Sequence, residues 1–151
     1  MVDKKFHVKI GVIGAGHLGR HHIKHLSSHS SVNFVGFFDI NEKTSKKISE
    51  EFSVKSFKSV EDLINCSDGL HIVTPTPLHH ETAIECLKKN KDVFIEKPIS
   101  STIKEAEEII GLSKKNKNIV QIGHIERFNP TVSRLKTIIK NPHFIEIERL
   151  A

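Results

Sequence analysis

The stretch IGVIGAGHLGR, residues 10–20, constrains this chain more than any other. Gly14, Gly16 and Gly19 follow a β-branched run and precede a helical pattern. In such a loop the first glycine permits a tight turn, the second lets backbone approach a pyrophosphate, and the third lets helix pack closely on strand. The N-terminus of the following helix offers unpaired N–H groups and a positive dipole end to phosphates. Glycines recur in many tight turns, so the spacing alone leaves a purely structural loop open. Asp39 narrows the choice. It ends the next apolar run, VNFVGFFD, 20 positions after Gly19, where a carboxylate can accept both hydroxyls of an adenosine ribose. Strand, glycine loop, helix, strand and acid in that order point to a dinucleotide cradle.

The rest of the chain repeats the same grammar. HVKIGVIG, VNFVGFFD, VKSF, GLHIVTP, DVFIEKP and NIVQIGH read as strands, with helical stretches between them. Asn41 is placed to cap the second helix, Ser59 and Asp62 have capping-box spacing, and Pro77 falls near the first turn of PLHHETAIECLKKN. Six strands alternating with helices through residue 124 predict an α/β fold with a doubly wound parallel sheet, a Rossmann arrangement over residues 1–124. After His124 the rhythm changes. Residues 125–151 read as a linker, a helix starting near Pro130, and an alternating strand HFIEIERLA with Ile145 and Ile147 on one face and Glu146 and Glu148 on the other. That is the expected start of a second, α+β domain that is otherwise absent, and its unpaired strand invites edge pairing.

Composition removes several classes. No apolar run approaches the roughly 20 residues that cross a bilayer. The basic residues before the first apolar run loosely suggest a leader, but that run is short, β-branched and ends in the glycine loop, so none is expected. The net charge of +5 allows a nucleic acid, a membrane surface or an anionic small molecule. The lysines are scattered through predicted helices without interleaved aromatics, so solvated helix faces are expected, with no nucleic-acid or membrane partner. Cys66 and Cys86 have neither metal nor redox spacing, which fits a reduced cytoplasmic protein. His17, His21, His25 and His29 recur every four residues with His22 beside them, a spacing able to bind metal. No carboxylate lies among them and their helix must pack on the sheet, so no metal site is expected.

Asp39 also bears on the cofactor. A carboxylate repels a 2′-phosphate, and Ile40 and Asn41 bring no arginine, although Lys43 is within reach, so NAD is favoured over NADP. FAD shares the fingerprint but needs binding segments not found here.

Two further stretches, VTPTPLHHE (73–81) and FIEKPIS (94–100), fall at predicted strand ends. With the glycine loop, Asp39, TPTPLH (74–79), EKP (96–98) and GHIERFNP (123–130), the chain resembles the glucose–fructose oxidoreductase / inositol dehydrogenase family, Gfo/Idh/MocA, across nearly its whole length. The resemblance implies a cofactor site of Gly14, Gly16, His17, Leu18, Gly19, Asp39, Thr74, Pro75, Thr76, His79, Glu96, Lys97 and Arg127. Thr74, Pro75 and Thr76 would lie along the nicotinamide side, Glu96 and Lys97 would flank its ribose, and Arg127 would help close the cleft. His79 would organise the cleft or contact substrate. Lys97 would be the catalytic group facing a secondary alcohol of a sugar, sugar nucleotide or polyol. The GHIERFNP form looks most like members acting on nucleotide-linked amino sugars. A partly desolvated lysine beside a cationic nicotinamide suits proton transfer to or from the reacting hydroxyl.

The family's second domain supplies substrate contacts, a further catalytic histidine and usually the oligomer interface. The resemblance therefore implies a homo-oligomer at full length and an isolated chain incomplete for turnover. A nicotinamide-binding module or sensor without catalysis is the alternative reading.

Overall fold

A sheet of five parallel strands carries the chain, and the computed structural model describes residues 8–146 and 148 of it. The elements are β1 (Val8–Ile13), α1 (His17–Ser28), β2 (Val32–Phe38), α2 (Glu42–Phe52), α3 (Val60–Cys66), β3 (Gly69–Ile72), α4 (His79–Lys88), β4 (Asp92–Ile95), α5 (Ile103–Asn116), β5 (Val120–Ile122) and α6 (Pro130–Ile138). Their spatial order is β2-β1-β3-β4-β5.

Successive side chains on a strand point to opposite faces, and the end of β1 displays the consequence. Val12 joins a core with Ile23 of α1, Phe37 of β2 and Ile48 of α2. Ile13 joins the other core, with Leu63 and Ile64 of α3, Leu87 of α4 and Ile109 of α5. Fully burying one such side chain is worth roughly 1.5–3 kcal/mol, so both faces of the sheet are anchored. The sheet is doubly wound, as the alternation of strands and helices predicts.

Local chemistry starts the helices where expected. The Asn41 side chain accepts from Thr44 N (3.1 Å) and Ser59 Oγ from Asp62 N (3.1 Å). Thr102 and Glu105 form a reciprocal capping box at α5. α1 differs: it begins at Gly16 with no side-chain cap and no acid in its first turn.

Two expected strands change. VKSF contributes only a single parallel bridge, Phe37 to Ser56, held by Phe37 N donating to Lys55 O (3.0 Å) and Phe57 N donating to Phe37 O (2.8 Å). The cause lies in β2, where Ile10 pairs with Phe34 but Gly11 with Gly36, so Val35 is an extra residue that bends the edge. Ser59 then starts α3 before a ladder can extend. Of the expected strand HFIEIERLA, described residues 143–146 and 148 form no strand; a lone strand without a ladder has no partner for its backbone groups. Residues 147 and 149–151 lie outside the described residues. The helix expected near Pro130 is present as α6, capped by Asn129, and none of its residues is buried.

Candidate functional site

The chain leaves β1 for β2 on one side and returns to β3 on the other. Open α/β sheets bind ligands at such a switch point, outside the carboxyl ends of the strands. A cleft of about 660 Å³ lies there, bounded by Gly14, Gly16, Asp39, Ile40, Thr74 and Pro75, with Leu78, Glu81, Thr82 and Glu85 along its outer side.

The glycine loop is shaped by close contacts. Gly14 has φ +94°, and a Cβ there would sit 2.6 Å from Val73 O. A Cβ on Gly19 would come within 2.0 Å of Gly14 O. Both positions require glycine, one to turn the chain and one to seat α1 against the loop. Around Gly16 a Cβ would meet nothing within 4 Å. The loop therefore opens onto free space where the uncapped, acid-free end of α1 begins.

Asp39 closes this end of the cleft. Its Oδ2 accepts from Ala15 N (2.6 Å) and its Oδ1 from Asn41 N (2.8 Å). A carboxylate offers about four lone-pair sites, so two remain for ligand hydroxyls. Across the cleft, Thr74 Oγ1 is buried and has no partner among the described residues. An unsatisfied buried hydroxyl costs about 1–3 kcal/mol, which a polar ligand would recover. Open Gly16, half-used Asp39 and orphaned Thr74 together fit a dinucleotide.

The other end of the site stands on β4. Glu96 follows it, with Oε2 accepting from Lys97 N (3.2 Å). The Lys97 side chain is exposed, so the desolvation expected of it is absent from the described residues. Glu96 Oε1 lies 3.0 Å from His22 Nε2, and His22 Nδ1 lies 3.0 Å from His71 Nδ1. His71 stacks on Phe94 with ring centroids 4.6 Å apart. Burial, reinforced by His22, pushes the His71 imidazole down to about 4.

His79 works from behind the cleft. It is 1% exposed, and its Nδ1 and Nε2 each lie 2.8 Å from a backbone carbonyl, of Pro98 and Thr74 respectively. It joins the two loops that carry the TPTP and EKP stretches, and it does not line the cleft. His17 and Leu18 are exposed in the first turn of α1, Thr76 starts a 3₁₀ turn over Thr76–Leu78, and Arg127 is exposed in a second such turn, Ile125–Phe128. None of these four lines the cleft. In the histidine ladder, the rings of His17 and His21 meet edge-on at 5.2 Å. Among the described residues no group of three or more His, Cys, Asp or Glu is arranged to hold a metal, and no helix is long and apolar enough to cross a membrane.

Sequence reasoning missed the His22–His71 pair. Two signals pointed to it: His22 breaks the four-residue register of the other α1 histidines, and His71 is a polar residue inside the apolar run GLHIV.

The description "Oxidoreductase family, NAD-binding Rossmann fold" (Gfo/Idh/MocA) matches residues 8–124. UDP-N-acetylglucosamine 3-dehydrogenase of Acidithiobacillus ferrooxidans is 34% identical over 146 residues, covering 96% of this chain and 46% of the relative. Glucose-6-phosphate 3-dehydrogenase of Bacillus subtilis is 35% identical over 133 residues, covering 88% and 38%. The solved structure of UDP-N-acetylglucosamine 3-dehydrogenase from A. ferrooxidans superimposes with a TM-score of 0.82 at 32% identity, covering 87% of this chain and 43% of that one. The chain thus spans less than half the length of these relatives.

Proposed function

The chain belongs to the Gfo/Idh/MocA oxidoreductase family, with its NAD-binding Rossmann fold, and from that premise we propose that it is the cofactor-binding part of an NAD-dependent dehydrogenase acting on a secondary alcohol of a sugar or sugar nucleotide. One observation carries the cofactor assignment: Asp39, bonded to Ala15 N at 2.6 Å, keeps acceptor sites free beside the open Gly16 backbone. A carboxylate there accepts ribose hydroxyls and repels a 2′-phosphate. Arg20, the cation that follows the loop, is engaged by Glu51 through its Nε at 3.0 Å and through Nη2, and stands over the Phe52 ring. That supports NAD over NADP.

Bound NAD would supply the hydride acceptor. The N–H groups at the start of α1, through His17, Leu18 and Gly19, would hold the pyrophosphate. Thr74, Pro75 and Thr76 would lie along the nicotinamide side, with Thr74 Oγ1 free to donate or accept, and Glu96 would accept from a ribose hydroxyl. Once substrate and a covering layer desolvate it, Lys97 Nζ as a neutral amine would accept the hydroxyl proton while the alcohol carbon gives its hydride to the nicotinamide, and would return that proton in the reverse reduction. Arg127 closes the site from the turn after β5. The two free cysteines, one exposed and one buried, support a reducing, cytoplasmic setting. A homo-oligomer at full length is part of the same reading.

Titration with NADH and NADPH, followed by cofactor fluorescence against a protein without tryptophan, tests the cofactor assignment. NADH is expected to bind at least tenfold more tightly; equal affinity or no binding overturns it. NADH formation from UDP-N-acetylglucosamine or glucose 6-phosphate, measured with the substrate-binding part of a relative joined after residue 124 and lost in Lys97→Ala, tests the chemistry.

A further inference from the structure

Resting on the reading of Glu96 as the ribose acceptor, we infer that His22 is a positioning residue for that carboxylate, supported by His71, so that two imidazoles form a strut from β3 through α1 to the turn carrying Lys97. The geometry is continuous: His71 Nδ1 to His22 Nδ1 at 3.0 Å, then His22 Nε2 to Glu96 Oε1 at 3.0 Å. The side chains of His22 and Glu96 are 17% and 15% exposed. On its far side Glu96 meets the end of β5 so closely that a Cβ on Gly123 would lie 2.9 Å from Oε2. The carboxylate is wedged between an imidazole and a strand end, which fixes its direction.

The hydrogens follow from the partners. An ionised carboxylate only accepts, so His22 Nε2 carries a hydrogen. When His22 Nδ1 has none, His71 Nδ1–H donates to it; when His22 carries both, His71 adopts the other tautomer and accepts. His71 can reverse because burial keeps it neutral down to about pH 4. The Glu96 contact therefore survives either charge state of His22. The other groups around the ring are Phe94 on β4, His124 after β5 in a small pocket that His22, Phe94 and Glu96 also line, exposed Lys97 beyond Glu96, and exposed His21 and His25 on α1. A phenylalanine at position 22 could fill the space beside Phe94 without desolvating a polar ring. Two hydrogen-bonded histidines there are explained by what they hold.

The test compares NADH with ADP, which carries only the adenosine and pyrophosphate part. Wild-type chain is expected to prefer NADH at least tenfold. His22→Phe should cut that preference fivefold or more while ADP affinity stays unchanged, and His22→Gln, whose amide can donate to Glu96, should recover most of it. A preference kept in His22→Phe, a parallel fall in ADP affinity, or no recovery in His22→Gln overturns the strut alone. A wild-type chain without preference for NADH instead overturns the Glu96 reading, and the strut's role with it. If His22→Phe does not fold, imidazole ¹⁵N spectra of wild type and Glu96→Gln decide: a shifted His22 Nε2 signal supports the strut, an unmoved one overturns it.

Discussion

The two ends of the cleft are built differently. The end at β1 and β2 is made of backbone, one carboxylate and the Thr74 hydroxyl, and its parts lie within residues 13–41 and 73–75, packed against each other at 2.6–2.8 Å. The end at β4 is made of side chains; its acid is held by histidines from two other elements, and Lys97 and Arg127 stand in solvent. A binding surface of main-chain groups is complete once the loop folds. A surface of long side chains stays open to solvent until something covers it, and this chain spans under half the length of its relatives.

Gly19→Val should break the first end outright. Its added carbon meets Gly14 O at 2.0 Å, and backbone cannot yield cheaply. A loss of more than about 100-fold in both ADP and NADH affinity is expected by titration; an unchanged ADP affinity would show that the loop is not the phosphate cradle. His79→Leu should blur the contrast by loosening both ends. Leaving the Thr74 and Pro98 carbonyls without their buried partner costs about 2–4 kcal/mol in a denaturant melt, with ADP and NADH affinity falling together.

A pH series probes the second end. Unfolded, His71 takes its proton near 6.5; folded, only near 4. Between those values the unfolded chain binds the extra proton, so stability drops as pH falls from about 6.5 to about 4 and levels off below. At most about 3 kcal/mol is involved, and His71→Phe should flatten that part of the profile. The smallest effect sharpens the comparison most. Lys97→Ala should leave NADH affinity within about twofold, because the exposed side chain contributes little before substrate is present. A tenfold loss would move Lys97 into the cofactor-binding surface.

What could be read from sequence follows the same division. Gly14, Gly19 and Asp39 were legible because their roles are local: a turn, a close approach, and a carboxylate at the end of a strand. The doubly wound sheet was legible from the alternation of short apolar runs with helical stretches. VKSF was misjudged since its four residues say nothing about a bulge at Val35 on its neighbour. The His22–His71 and His22–Glu96 contacts bridge 49 and 74 positions, distances over which no periodicity reports. His79 was marked by its motif, but only packing reveals that it faces two carbonyls and not the cleft.

The loops after β3 and β4 are stitched together through one imidazole before any nucleotide arrives. The entropy of aligning them is spent during folding, so it does not weaken affinity when a nucleotide lands. Ligand-free crystals or hydrogen-exchange profiles should thus find both loops in the same register as in the complex, a rigid receptor waiting rather than one moulded by its guest.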